Sequence, residues 1–207
     1  QYPRTSKNPK HAFAFKMVLS DQIVESRVYD VIWNPSKDGY LKPKIQIEPV
    51  KIGGAKIEFA TAHNAAFVYG KNYKNPADGY IGPGAVIQII RSGDVIPKVH
   101  KVIAPALKPK APDSSYKVKW NKTGIDFILE DKDTNKVVQM KRISAFFEKI
   151  EVTGLGRGNV QRIINAGFDT IPKIITMSYE DFLGVEGFKE KMATKIHKNI
   201  KNSIAIV

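Results

Sequence analysis

The chain has 207 residues, 43% of them hydrophobic and 10% aromatic, which is enough for packed cores and excludes disorder over most of its length. It contains no cysteine, so disulfides, cysteine-ligated zinc and thiol catalysis are ruled out, and its four histidines at 11, 63, 100 and 197 stand too far apart for a zinc site. The formal charge of +13 favours a polyanion as partner, nucleic acid foremost, with a solubilising surface as the plain alternative. Lys and Arg exceed Asp and Glu by 8 over residues 1–109, by 3 over 110–150 and by 2 over 151–207, so the excess sits in the first half. No apolar run approaches the ~20 residues that span a bilayer, and the start carries no signal-like apolar region. The expectation is a cytoplasmic protein with no membrane partner. Because Gln1 and not Met begins the chain, a piece of a longer or processed polypeptide is expected.

In chain order, "QYPRTSKNPK" (1–10) is polar and proline-rich, and "HAFAFKM" alternates like one strand ending on Lys16. A lone strand cannot fold by itself, so residues 1–20 read as the tail of a domain lying upstream. From 21 to 105 five β-rich runs follow: 22–33, 40–50, 55–61, 85–91 and 95–103. Turn signals separate them at Asn34 to Gly39, Gly53-Gly54, Asn75 to Gly84 and Ser92-Gly93. A short helix, "AAFVYGKN", fits between the third and fourth runs, and that order is the one of a five-stranded OB-type barrel, an SH3-like barrel being its nearest competitor. "PALKPKAPDSS" (105–115) reads as an exposed linker. Residues 117–141 then read as two or three short strands around Lys122-Thr123-Gly124 and Asp131 to Asn135, too short for a core of their own, and 106–141 form one linker-plus-β unit.

After Lys141 the period turns helical. Ile143, Phe146, Phe147 and Ile150 share one face, as do Met192, Ile196 and Ile200 near the end, and Ser178 caps "YEDFL". Residues 142–207 thus hold two helix–turn–helix units in tandem, and the fold class is multidomain, β then α. In "TGLGRG" (153–158), Gly154 and Gly156 flank Leu155 immediately before a helix carrying Arg157, so backbone amides can point outward at a phosphate. In "GVEGFKEKMA", Gly187 and Phe188 fall in register with Gly154 and Leu155, but Lys189 replaces the second glycine. Lys191, Lys195 and Lys198 share a helix face, which suits either a phosphate backbone or plain solvent. A pair of ordinary glycine-terminated helices is the other reading of both units.

Two blocks, "EPVKIGGAKIEFATAHN" (48–64) and "GPGAVIQIIRSGDVIPKV" (82–99), resemble the OB domain of bacterial-type NAD-dependent DNA ligases, and the tandem "TGLGRG" and "VEGFKE" units resemble the helix-hairpin-helix modules that follow it. "SKNPKHAFAFKM" resembles the last strand of that family's adenylation domain, so Lys16 would offset the phosphate charge of bound AMP. The resemblance also implies that Arg91 reaches DNA and that Val95 and Ile96 wedge the minor groove beside a nick, bringing the 3′-hydroxyl and 5′-phosphate within reach. Alternation along the run leaves a second reading, in which one or both aliphatics fill the barrel interior. Lys37 stands where the family commonly has a DNA-contacting arginine; it keeps the charge and loses the fork. Asn64 is read as a helix N-cap, and His63 is left between DNA contact and structure.

Several features depart from the family. Its four-cysteine zinc element has no counterpart here, and 118–140 must hold shape by strand pairing. No Lys-x-Asp-Gly nucleophile motif is present, nor anything like the nicotinamide-binding module. The resemblance therefore implies the C-terminal part of a ligase, or the subunit of a split ligase of a virus or phage. It would act on nicked duplex DNA with NAD as AMP donor, Mg, and a second chain or upstream segment supplying the nucleophilic lysine. A stand-alone DNA-binding protein of replication or repair, without catalysis, is the alternative; an RNA-binding translation factor fits less well.

Overall fold

A computed structural model of the protein describes residues 22–71, 79–91 and 96–205. Five strands carry the first unit: β1 Ile23–Pro35, β2 Tyr40–Ile52, β3 Ala55–Thr61, β4 Val86–Ile90 and β5 Lys98–Ala104. β1 has thirteen residues because it serves two neighbours: residues 23–27 pair with β4 and 28–35 with β2, with a register shift between Val28 and Asp30 where the strand bends. β2 pairs onward with β3 and β4 with β5, all antiparallel, and a parallel contact at Thr61–Lys98 joins β3 to β5, so the pairing closes on itself as a ring. Alternation places Val28, Val31 and Trp33 of β1 inside, with Leu41, Ile45 and Ile47 of β2 and Ile87 and Ile89 of β4.

The expected strands at 22–33, 40–50, 55–61 and 85–91 are found to within two residues. The fifth is corrected: it starts at Lys98 and not at Val95, since Pro97 has no N–H to give the ladder. Helix α1, Ala65–Val68, is shorter than its expected run, ending before Gly70 at φ +68°. Asn64 caps it as expected, its Oδ1 accepting from the Phe67 N–H at 2.8 Å.

Residues 105–115, expected as an exposed linker, are mostly exposed and also form a strap against the ring. Ala106 bridges to Tyr80, the Lys110 amide donates to Ile81 O at 3.0 Å, and the Trp33 indole N–H donates to Lys110 O at 3.1 Å. Beyond it, β6 Val118–Trp120 and β7 Phe127–Leu129 form a hairpin, and β7 pairs with the start of β2, extending the ring's sheet. Phe127 is the nail that fixes it. Its ring lies 5.5 Å from Trp33, 4.2 Å from Trp120 and 5.5 Å from Tyr69, so the element shares the ring's core instead of owning one.

The helical unit comprises α2 Lys136–Lys149, α3 Arg157–Asn165, α4 Ile171–Ile175, α5 Tyr179–Leu183 and α6 Glu190–Ala205. The stretch 136–141, expected within the β element, is instead the opening of α2, capped by Asn135, whose Oδ1 accepts from the Val137 and Val138 amides. Ser178 forms a capping box with Asp181 as α5 begins. α2 joins two cores: Val138 packs with the ring, while Ile143 and Phe147 pack with Val160, Ile163, Phe182 and Ile196.

If Phe127 fixes the hairpin to the ring, Phe127→Ala should cost about 3–5 kcal/mol of unfolding free energy. Urea titration followed by tryptophan fluorescence checks this, since Trp33 and Trp120 both touch that ring.

Candidate nucleic-acid interface

Where β4 ends, the Arg91 amide donates to Gln22 O at 3.1 Å and its Nη1 reaches Ile52 O at 3.5 Å. The guanidinium is thus half-buried against the end of β2, not extended into solvent. Val95 lies outside the described residues, as does Lys16. Ile96 is described, and it is 68% exposed. Of the two readings of this aliphatic, burial in the ring interior does not hold for Ile96; Ile87, Ile89 and Val99 already fill that space.

The backbone explains the eversion of Ile96. Pro97 O accepts from the Thr61 amide at 2.9 Å, which ties the chain to the end of β3 one residue before β5 begins. Ile96 therefore precedes the pleat that would turn it inward. Thr61 pairs with Lys44 of β2 on one side and Lys98 of β5 on the other, so two exposed ammonium groups flank an exposed threonine beside Ile96. The Lys44 ammonium sits 4.0 Å over the Phe59 ring, which restrains it. His63 contacts Val99 O through Nε2 at 3.1 Å and meets Phe67 edge-on at 4.9 Å. A carbonyl only accepts, so Nε2 carries the proton. His63 thereby has a structural role while its ring stays exposed.

Elsewhere, Lys37 stands in the β1–β2 turn with a side chain 57% exposed, 3.3 Å from Asp38. Sequence reading missed the groups behind that turn. Lys141 of α2 donates its ammonium to Pro35 O; Arg142 donates Nε to Lys37 O at 2.9 Å and pairs with Asp133 at 3.2 Å. Adjacent cations opening an apolar helix face were the visible signal, but their acceptors are backbone carbonyls a hundred residues away, which no local pattern displays. Burial, and then the charge of Arg157, hold the Lys141 pKa below the ordinary lysine value.

In the helical unit Gly154 takes φ +98°, Leu155 is buried, and Gly156 stands at the N-cap of α3 with nothing near the place a Cβ would occupy. Arg157 is the first residue of α3 and is exposed. The second turn repeats this: Gly187 at φ +78°, Phe188 buried, then Lys189 ahead of α6. With an offset of 33 residues, Val152, Leu155, Val160 and Ile163 correspond to Val185, Phe188, Ala193 and Ile196, and all eight are buried. The turns also brace each other, since a Cβ on Gly154 would meet Ile196 at 3.0 Å and one on Gly187 would meet Arg162 at 2.9 Å. Electrostatically they differ, because Glu190 occupies the place of Arg157 between the exposed Lys189 and Lys191. Lys37 and Arg157 line one cleft, whereas Lys189 and Lys191 line another depression with Gly187.

Among the described residues no three His, Cys, Asp or Glu side chains converge, so these residues do not form a donor set for Mg or another metal. No described helix is long and apolar enough to cross a membrane.

Residues 25–111 match the NAD-dependent DNA ligase OB-fold domain. The chain is 41% identical over 199 residues to a DNA ligase of Acanthamoeba polyphaga mimivirus, covering 96% of this chain and 29% of that protein. Residues 25–111 are thus an OB-fold domain of the NAD-dependent DNA ligase kind, and the longer match is to proteins named DNA ligase. A putative DNA ligase of Invertebrate iridescent virus 3 is 30% identical over 90% of this chain and 23% of its own length. A DNA ligase of Desulfatibacillum aliphaticivorans is 32% identical over 75% of this chain and 24% of its own length. The chain thus spans under a third of the length of these ligases. The matched segment includes residues 105–111 of the strap and every residue of the Lys44–Thr61–Lys98 strip.

Arg142→Ala should loosen the turn that carries Lys37 without unfolding the ring. Amide hydrogen exchange should accelerate at 36–39 while the protected amides of β2 stay slow; unchanged exchange at the turn would show that Arg142 does not restrain it.

Proposed function

We propose that the chain is the DNA-binding C-terminal part, or a subunit, of an NAD-dependent DNA ligase that seals nicks in duplex DNA. The carrying observation is Ile96, exposed beside the Lys44–Thr61–Lys98 strip within a segment that matches the ligase OB-fold domain. An apolar side chain standing out of a basic surface is what a shallow groove accepts. The ammonium groups meet the flanking phosphates while the aliphatic presses on sugar and base edges and widens the groove. Val95 acts with Ile96 in this reading, and Arg91 supports the loop from the ring side as well as adding charge.

The helical unit acts as a tandem helix-hairpin-helix module on the DNA backbone. The first hairpin grips through the open amides around Gly154, Leu155 and Gly156, with Arg157 beside them. The second relies on Lys189 and Lys191, because Glu190 disfavours an anion at its helix start. Lys16 completes the AMP site, offsetting phosphate charge during nucleotidyl transfer. NAD as AMP donor and Mg belong to the assembled enzyme, and the nucleophilic lysine comes from a second chain or upstream segment. The place of action is the cytoplasm of a bacterium or of an infected host cell. The names of the relatives favour this reading over a stand-alone DNA-binding protein.

The test is reconstitution: the chain is mixed with a polypeptide carrying the adenylation motifs, NAD and Mg, and sealing of a nicked duplex is followed on a denaturing gel. Sealing should require the chain and fall by roughly 100-fold in Lys16→Ala. It should also fall in Ile96→Ala, whose thermal stability should stay within about 0.5 kcal/mol of the parent because the side chain is exposed. Sealing indifferent to both substitutions would make the chain a passive binder.

A further inference from the structure

Between the β1–β2 turn of the ring and helices α2 and α3 lies a cleft of about 430 Å³. Its walls come from different units, with Pro35, Lys37 and Lys42 on the ring side and Lys141, Glu148 and Arg157 on the helical side. Four cations therefore face a single carboxylate, Glu148. Lys42 is largely spoken for, 2.8 Å from Asp126. Lys37 is paired only with Asp38 at 3.3 Å, and both side chains are more than half exposed, so water screens that pair to little. Lys141 spends one of its three N–H groups on Pro35 O and keeps two.

The cleft is thus built against its own charge. Arg157 and Lys141 repel, which is part of why the Lys141 pKa is held down, and the α2 cations that lock the helical unit to the ring bring this repulsion with them. A monoanion seated among Lys37, Lys141 and Arg157 would reverse the sign of that interaction. The volume is many times the roughly 30 Å³ share of a water molecule. That suits an anion carried on a longer ligand better than a small ion held alone.

We propose that this cleft takes one phosphodiester of the DNA backbone, gripped jointly by Lys37 from the ring and by Lys141 and Arg157 from the helical unit. The inference rests on the DNA-binding reading above and adds to it a single phosphate that couples the two units. DNA then does more than lie across two separate basic surfaces. The shared phosphate tightens the ring against α2 and α3, and the helical unit's grip depends on the ring's turn.

The experiment is a double-mutant cycle on the full chain. Affinity for a nicked duplex is measured by fluorescence anisotropy over a range of salt for the parent, Lys37→Ala, Arg157→Ala and the double variant. Both residues are exposed, so neither substitution threatens folding. One shared phosphate predicts that each single variant lowers the slope of log affinity against log salt by about one, and that the double variant also lowers it by about one. A fall of about two in the double variant, or no fall in either single one, would overturn the shared site. Inorganic phosphate distinguishes the source of the anion. If it saturates the cleft at submillimolar concentration, read as an upward shift of the Lys141 ammonium titration by NMR, the ligand is a free anion and the proposal fails. A parent chain that does not bind nicked duplex at all would overturn the DNA-binding reading itself. Binding that weakens in Ile96→Ala while the cycle stays additive would overturn only the shared phosphate.

Discussion

Gly39 stands at φ +83°, and a Cβ placed there would lie 2.5 Å from Cβ of Lys132. The turn it forms is where three units meet. Its carbonyl accepts from the Leu129 amide at 2.8 Å, tying in the β6–β7 hairpin, and the carbonyls of Pro35 and Lys37 on its other side accept from Lys141 and Arg142 of α2. Any side chain at Gly39 meets a backbone conformation that L residues rarely adopt and a fixed neighbour at once. The close approach this glycine permits is what lets a loop of the ring serve as the seat for everything after residue 116.

A four-cysteine zinc element would orient a helical unit through metal bonds. This chain, with no cysteine, spreads the task over weaker interactions. β7 borrows ladder positions at Tyr40 and Leu41, and Phe127 enters the ring's aromatic cluster. Val138 then places the first turn of α2 in the same core while the rest of that helix packs in the other. Each aromatic pair contributes on the order of 1 kcal/mol beyond the area it buries. Several such pairs plus a shared helix give an attachment that responds to neither chelator nor oxidant.

Where each residue type obeyed a local rule, its place in the fold was legible from the sequence. Alternation located four strands, the Asn64 and Ser178 caps marked their helices, and the offset of Gly187-Phe188 from Gly154-Leu155 located both glycine turns. The failures came where a distant partner decided. Residues 136–141 read as β-rich through Val137 and Val138, but Asn135 caps them and the ring core buries Val138, so helix wins. The proline-rich strap is exposed as its composition predicts, but its anchors, the Trp33 indole, the Lys110–Asp30 ion pair and backbone contacts from 80 and 81, lie far off in sequence. At the candidate interface, Ile96 and the glycine turns were legible as motifs, whereas Lys141 and Arg142 were not, since what they bind is main chain.

On the proposed DNA-binding reading, the two kinds of side chain at the candidate interface divide the work by their response to salt. Cations at 44, 98, 37 and 157 would act through a field that falls off over about 10 Å at 0.1 M ionic strength, and what they would gain from phosphates is lost as salt rises. Ile96 acts by removing apolar surface from water, worth about 25 cal/mol per Å² and nearly indifferent to modest salt. On that proposal the field would bring the chain to any duplex, intact or broken, and could not by itself choose among them. Choice falls to the contact that needs the duplex to deform, because a break relieves the stacking that an inserted aliphatic would otherwise have to overcome. On the proposed reading, a basic ring that exposes Ile96 would thus suit a search along DNA by charge and a stop where the helix yields.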